Sequence, residues 1–482
     1  MLVGMNAPLP GLAAVLPPHR GKTAPQESFP VALRWLAGGH RAAILRFYGY
    51  IRAADDWADL PDPGLSVVDR LSGLHRLATA AERDLAAIPA ALAAFKALLP
   101  AFEADARGDL PTDLATALAT CRASSVPVGR FLLDLHGESP LTYPAADALC
   151  LSLQLLNHLD DAPADRARWG RAYLPTAALP AIHAVLPRLL AEAAPLPQLL
   201  RAPGLRRQAA ATVMAAQRQA AALADGRPFG LRDRLACARA ALVPARPPRP
   251  RLSGSFRLAL PLLPAEARAA IAGVYAHARA WDALADEAGD LAALHAWHDR
   301  LTALAEGRVP ADLPPDFLAL LTRYRLPLPP FLALLDGLIS DLTAPPQAPD
   351  RAALLLYCDR VAGAVGTLIL AALGIEDDVL ARSAGRALQL TNILRDLDAD
   401  AAAGRVYLTR ADLPALVPEV EALYADCTAR LAARRFRGRW GVAVMIGLYC
   451  RLFRRLQAQA FAPGGRLTGV DRLAVLLRGG RG

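Results

Sequence analysis

Leu388-Gln-Leu-Thr-Asn-Ile-Leu-Arg-Asp-Leu-Asp-Ala-Asp400 sets Gln389, Asn392, Asp396 and Asp400 at steps of three, four and four residues. Positions three and four apart project from one face of a helix. The same order occurs earlier as Gln154, Asn157, Asp161 and Asp165. A second pattern precedes each of these by about a hundred residues: Tyr48, Arg52, Asp55 and Asp59 in the front half, and Tyr275, Arg279, Asp282 and Asp286 in the back half. Like charges at i and i+4 weaken an isolated helix, so four such pairs inside otherwise apolar helices need a compensating partner. A divalent cation is one, because Mg2+ takes oxygen ligands, commonly one or two carboxylates plus substrate phosphate oxygens. Two facing helices, each offering a carboxylate pair, would clamp a diphosphate through metal.

The repetition extends outward from these motifs. Ser28-Phe29 matches Ser255-Phe256, and Tyr48 and Asp55 match Tyr275 and Asp282, all 227 residues apart. Cys121 and Gly129 match Cys358 and Gly366 at 237, the Gln/Asn/Asp/Asp set at 235, and Arg171-x-Tyr173 matches Arg405-x-Tyr407 at 234. An offset that drifts in the connections and holds within segments is the mark of two diverged copies of one domain, since loops absorb insertions. Between the copies, the prolines of Val243-Pro-Ala-Arg-Pro-Pro-Arg-Pro-Arg251 forbid helix and favour an extended spacer. The predicted organisation is a loose tail over 1–25, a domain over 26–243, a linker over 244–251 and a second domain over 252–482. Helical periodicity broken by Pro-rich stretches, with few alternating runs, predicts two all-α domains.

Composition narrows the function. The chain has 482 residues and a formal charge of +9. Lysine occurs only at Lys22 and Lys96, so the basic groups are almost all Arg, and no basic run interleaved with aromatics points to nucleic acid. Six scattered cysteines without a CxxC pair read as buried thiols of a reducing compartment. No signal peptide is visible, and the uncharged apolar run Val361 to Ile375 falls short of a membrane span. A cytoplasmic protein is expected, with at most a peripheral contact on the inner face of the plasma membrane. No P-loop, G-x-S-x-G elbow or G-x-G-x-x-G is present, and no nicotinamide cofactor is expected. Arg279, one turn before Asp282, is placed to bind phosphate oxygens. Gln389 and Asn392 are placed to orient carboxylates or water, and the small run Val361-Ala-Gly-Ala-Val-Gly366 lets helices approach closely around a hydrocarbon cavity.

At these residues the chain resembles the squalene/phytoene synthase family of head-to-head prenyltransferases. The stretch from Tyr275 to Glu287 is similar to the family's first aspartate motif, and that from Leu388 to Asp400, continuing to Leu408, to its second. Tyr357-Cys-Asp-Arg-Val-Ala-Gly-Ala-Val-Gly366 is a third match. The resemblance implies two isoprenoid-synthase-like helical domains, each with a central cavity. It implies Mg2+, with Mn2+ as a substitute, held by Asp282, Asp286, Asp396 and Asp400 in the second copy and by Asp55, Asp59, Asp161 and Asp165 in the first. Arg279, Gln389, Asn392, Arg52, Gln154 and Asn157 would complete the catalytic sets. The substrate-binding positions it implies are Ser253, Phe256, Tyr275, Tyr357, Val361, Gly366, Arg405, Tyr407 and Tyr449, and in the first copy Phe29, Tyr48, Gly129, Arg171 and Tyr173.

The second copy is similar to the branch that joins two farnesyl diphosphates into presqualene diphosphate, the first to the branch that turns this product into hydroxysqualene. A separate oxidoreductase would then be needed to reach squalene. Two other readings stay open: one reaction in both copies, as in a squalene or phytoene synthase, and a non-catalytic first copy that scaffolds the second. The first copy departs from the second at four points. Thr120 stands for Tyr357, Asp160 for Arg395, the gap from Asp165 to Arg171 is one residue longer, and no tyrosine matches Tyr449.

Overall fold

The computed structural model describes residues 10–17, 38–59, 65–169, 173–242, 256–462 and 466–477. The chain separates into two compact units, residues 1–246 and 247–482, a division inside the Pro/Arg-rich stretch. Among the described residues there is no β-strand, only an isolated bridge between Gln347 and Val406. The all-α expectation holds.

Unit 1 comprises α1 (Pro10–Ala13), α2 (Gly38–Asp59), α3 (Val67–Asp84), α4 (Pro89–Arg107), α5 (Leu114–Leu135), α6 (Tyr143–Trp169), α7 (Leu179–Ala193), α8 (Leu196–Leu199), α9 (Pro203–Ala224) and α10 (Leu231–Leu242). Local chemistry sets several ends. Ser66 and Asp69 form a reciprocal capping box at the start of α3, Asp113 and Thr116 another at α5, and Gly108 ends α4 in the left-handed conformation. The core joins α2 to α4 and α5: Phe47 packs on Phe131 with ring centroids 4.1 Å apart, and Tyr50 meets Phe95 edge-on. Residues 10–17, expected to be part of a loose tail, instead pack on this core. Leu12 is buried, its amide donates to Asp84, and the Trp57 indole donates to the Val15 carbonyl. Burial of Leu12 and these two hydrogen bonds offset the cost of ordering the segment.

Unit 2 comprises α11 (Phe256–Ala259), α12 (Ala265–Asp286), α13 (Leu291–Ala305), α14 (Pro315–Thr322), α15 (Pro329–Thr343), α16 (Arg351–Cys358), α17 (Ala364–Ala372), α18 (Asp378–Ala402), α19 (Leu413–Ala433), α20 (Arg439–Ala458) and α21 (Gly469–Leu477). Trp281 of α12 is fully buried against Trp297, Phe317 and Phe331, which ties α12 to α13, α14 and α15. A π-helical turn, Asp359–Gly363, joins α16 to α17 without a break. That continuity makes Arg351–Ala372 long and apolar enough to cross a membrane by length and composition, as is Thr176–Leu199. The uncharged run from Val361 had fallen short because it counts only the second half of this composite helix. In unit 2 this helix packs against α12, α15 and α18, with 33% of its apolar stretch buried. A Cβ on Gly366 would stand 2.8 Å from the Ala381 carbonyl oxygen, and one on Gly385 would stand 2.5 Å from the Gly363 Cα. The small run therefore brings the composite helix against α18 at backbone distance, as its composition predicts.

Candidate active site

In unit 2 the two aspartate motifs meet at an arginine. Asp286 ends α12, Asp400 lies near the end of α18, and Arg405 follows in the loop. Its guanidinium donates to Asp286 Oδ1 at 2.6 Å and stands 3.7 Å from Asp400 Oδ1. Each remaining aspartate has its own arginine: Arg279 pairs with Asp282 one turn away, and Arg395 binds Asp396, with Nε at 2.9 Å. The carboxylates still feel one another. Burial first and then Asp286 push the Asp282 carboxyl upward, with Arg279 and Arg405 opposing. Burial also raises Asp400, Arg405 lowers it, and Asp396 and Asp286 raise it further.

Below this acidic rim lies a cavity of about 170 Å³, lined by Val361, Gly366, Gln389, Asn392 and Tyr449 together with the apolar side chains of α17, α18 and α20. Tyr449 connects cavity to rim: Asn392 hydrogen-bonds its hydroxyl, and Arg395, Tyr275 and Asp396 are its charged and polar neighbours. Val361, Gly366, Gln389, Asn392 and Tyr449 thus come together as a group, and the aspartates and their arginines as another, adjoining one.

Tyr357 and Tyr407 stack with centroids 4.9 Å apart, and both hydroxyls donate to Asp341 on α15, at 2.8 and 3.2 Å. Asp341 was missed by the sequence analysis. Burial pushes its carboxyl up to about 6, against the pull of both tyrosines and Arg405, while Asp286 adds to the rise. The two phenols are raised in turn, by burial first and then by the Asp341 charge.

Unit 1 places Tyr48, Arg52 and Asp55 of α2, Gly129 of α5, and Gln154 and Asn157 of α6 around one cavity of about 410 Å³. Arg52 pairs with Asp55 and reaches Asp56 at 2.9 Å. Asp161 and Asp165 continue along α6, with Pro163 between them. Neither borders that cavity. Tyr173 donates to Asp105 of α4 at 3.3 Å, as Tyr407 does to Asp341. With Thr120 in place of a tyrosine, the ring facing Tyr173 is His158, stacked at 4.1 Å and 5°. His158 also meets Gln154, with Nε2 atoms 3.1 Å apart, and burial pulls its imidazole down to about 4. Phe29, Arg171 and Ser253 lie outside the described residues, as do the side chains of Asp59 and Phe256.

Does this donor set suit a divalent cation? Among the described residues no three His, Cys, Asp or Glu side chains gather into a ready cage, since the arginines hold the carboxylates instead. The chemistry nevertheless fits. Asp286 repels both Asp282 and Asp400, Asp396 also repels Asp400, and one turn before Asp396 the buried Asn392 Oδ1 has no hydrogen-bond partner among the described residues. A buried unpaired amide oxygen is costly unless a ligand or water completes it.

Comparison with known proteins gives a consistent picture. The squalene/phytoene synthase family profile matches residues 23–247 and again 249–421. A presqualene diphosphate synthase of Sinorhizobium fredii is 43% identical over 169 residues, which cover 34% of this chain and 60% of that enzyme. This chain thus spans less than two thirds of that relative. A hydroxysqualene synthase of Rhodopseudomonas palustris is 36% identical over 229 residues, 43% of this chain and 72% of that one. A phytoene synthase of Thermus thermophilus is 39% identical over 237 residues, 46% and 82% respectively.

Proposed function

Since the chain belongs to the squalene/phytoene synthase family, we propose that it is a bifunctional prenyltransferase whose halves catalyse successive steps. Unit 2 would join two farnesyl diphosphates into presqualene diphosphate, and unit 1 would convert that product to hydroxysqualene. The observation that carries this reading is the Arg405 bridge, which draws Asp286 of the first motif and Asp400 of the second to one point, two helical turns along α18 from Asn392 in the wall of an apolar cavity.

Asp282, Asp286, Asp396 and Asp400 would hold Mg2+, which supplies Lewis-acid stabilisation of the diphosphate leaving group. Arg279, Arg395 and Arg405 are positioned to pass from carboxylates to phosphate oxygens, where a guanidinium fork binds strongly. Tyr357, Tyr407 and Asp341 form a part-buried hydrogen-bonded unit that ties α15 and α16 to the loop after α18. The apolar side chains of α17, α18 and α20 exclude water from the cationic intermediate. Unit 1 retains the arginine, a carboxylate and two amides around a cavity of its own.

Incubation of the protein with farnesyl diphosphate and Mg2+, without NADPH, should yield presqualene diphosphate and then hydroxysqualene. Asp282→Asn with Asp396→Asn should stop consumption of farnesyl diphosphate. Asp55→Asn with Asp161→Asn should leave presqualene diphosphate to accumulate. The similarity to a phytoene synthase favours a second reading, one reaction in both halves. Phytoene-type product from geranylgeranyl diphosphate, with none from farnesyl diphosphate, would select it and reject the first.

A further inference from the structure

The two copies differ most informatively around the tyrosine that each sets against a half-buried aspartate. In unit 2, Tyr407 stacks on Tyr357, and the residue one after Asn392 is Ile393, an apolar side chain. In unit 1, Thr120 removes the stacking tyrosine and His158, one after Asn157, takes over the stack on Tyr173. The exchange adds a polar contact that Ile393 cannot make: His158 Nε2 lies 3.1 Å from the Gln154 amide nitrogen. Stacking fixes the plane of the imidazole, and Tyr173 is itself held by Asp105. Burial keeps the ring neutral at physiological pH, so Nε2 accepts and the Gln154 amide donates. An amide held by its nitrogen has its oxygen fixed too, and Gln154 borders the cavity.

We propose that His158 is a positioning residue that sets the product of unit 1: it orients Gln154 so that the amide oxygen seats the water molecule that ends the reaction as an alcohol. This rests on the reading that unit 1 turns presqualene diphosphate into hydroxysqualene. Ionisation breaks the C–O bond and releases diphosphate; one cyclopropane bond migrates to the ionised carbon, and a second ring C–C bond then breaks as a C=C bond forms, leaving an open-chain allylic carbocation. A water lone pair then forms the new C–O bond, and the oxonium proton passes to the released diphosphate. Without a seated water the cation has another exit, loss of a C–H proton to the same diphosphate, which gives a hydrocarbon with one more double bond. His158 decides between these exits without touching the reacting carbon.

The test uses the full chain, supplied with presqualene diphosphate and Mg2+, and reads the ratio of alcohol to hydrocarbon. His158→Phe keeps a ring against Tyr173 and removes the acceptor. The ratio should fall about tenfold while total consumption stays within about threefold of the parent. His158→Gln, which restores an acceptor, should recover part of the alcohol. Gln154→Leu leaves His158 in place and should lower the same ratio, so a folding defect in one variant does not remove the test. An unchanged ratio in His158→Phe, or loss of all consumption in a folded variant, overturns the proposal. A parent chain that forms no alcohol overturns the underlying reading, and that result is seen before any variant is made.

Discussion

Asp341 shows how a single side chain couples stability to chemistry. Burial pushes its carboxyl up to about 6 in the folded chain, against 3.8 for an exposed aspartate. The folded state therefore holds the proton more tightly, and the contribution of this group to stability is greatest below pH 3.8 and is lost as pH rises through 6. Asp341→Asn keeps an acceptor for Tyr357 and Tyr407 and removes the charge. Thermal melts should place the variant above the parent by about 3–6 °C at pH 7.5, with the gap closing toward pH 4. Condensation of farnesyl diphosphate should fall in the same variant, since the charge that orders both phenols is gone. At Arg405 the expectation concerns catalysis: Arg405→Gln separates Asp286 from Asp400 and should lower kcat/KM for condensation by about a hundredfold, measured by diphosphate release. The aspartate pairs were legible in sequence because their helical spacing recurs, and Arg405 because its Arg-x-Tyr stretch recurs at Arg171 and Tyr173. Asp341 was not. It shares its apolar helix only with Asp336, five residues away and outside the i, i+4 pattern, and its counterpart Asp105 lies 236 residues earlier while the nearby cysteines lie 237 apart, so the offset changes in the connection between them.

The composite helix α16–α17 and its counterpart α5 solve one packing problem in two ways. In unit 2 a π turn at Asp359–Gly363 interrupts the regular hydrogen-bond ladder. In unit 1 the matching stretch stays α-helical but carries Pro127, which has no N–H to give to the ladder. Both helices also carry one arm of a two-bond arginine–carboxylate clamp to the next long helix, Arg130 to Asp147 in unit 1 and Asp359 to Arg386 in unit 2. The small residues around Val361–Gly366 announced a close helix approach in the sequence. The π turn did not announce itself, because it depends on which carbonyl each N–H selects and not on side-chain pattern. The short helix α1 was equally hidden: four residues show no periodicity, and its place depends on Asp84 and Trp57, far along the chain. Gly385→Ala tests the approach directly. Its new methyl group meets the backbone of Ala362 and Gly363, so the helices must part. The cost should be about 1–3 kcal/mol, read as a lower melting temperature for unit 2, with presqualene diphosphate formation falling and the unit 1 reaction unchanged.

At the scale of the whole chain, two compact units bear the successive reactions proposed here, joined through a stretch that by sequence is rich in proline and arginine. A tether raises the concentration of one site's product near the other without any new contact, to about millimolar for a short linker. That is a statement about rates, and it can be separated from catalysis with full-length chains. One variant carries Asp282→Asn and Asp396→Asn, so only unit 1 acts; the other carries Asp55→Asn and Asp161→Asn, so only unit 2 acts. Mixed in equal amounts, they present the same number of working sites as the parent, but the intermediate must travel between molecules. At nanomolar protein the mixture should show a lag in hydroxysqualene and a pool of free presqualene diphosphate that the parent does not build. Raising the protein concentration should shorten the lag, because diffusion between molecules then competes with transfer within one. Equal time courses for mixture and parent at every concentration would mean that joining the halves gives no kinetic advantage, and that the fusion serves only to make the two activities in equal amounts.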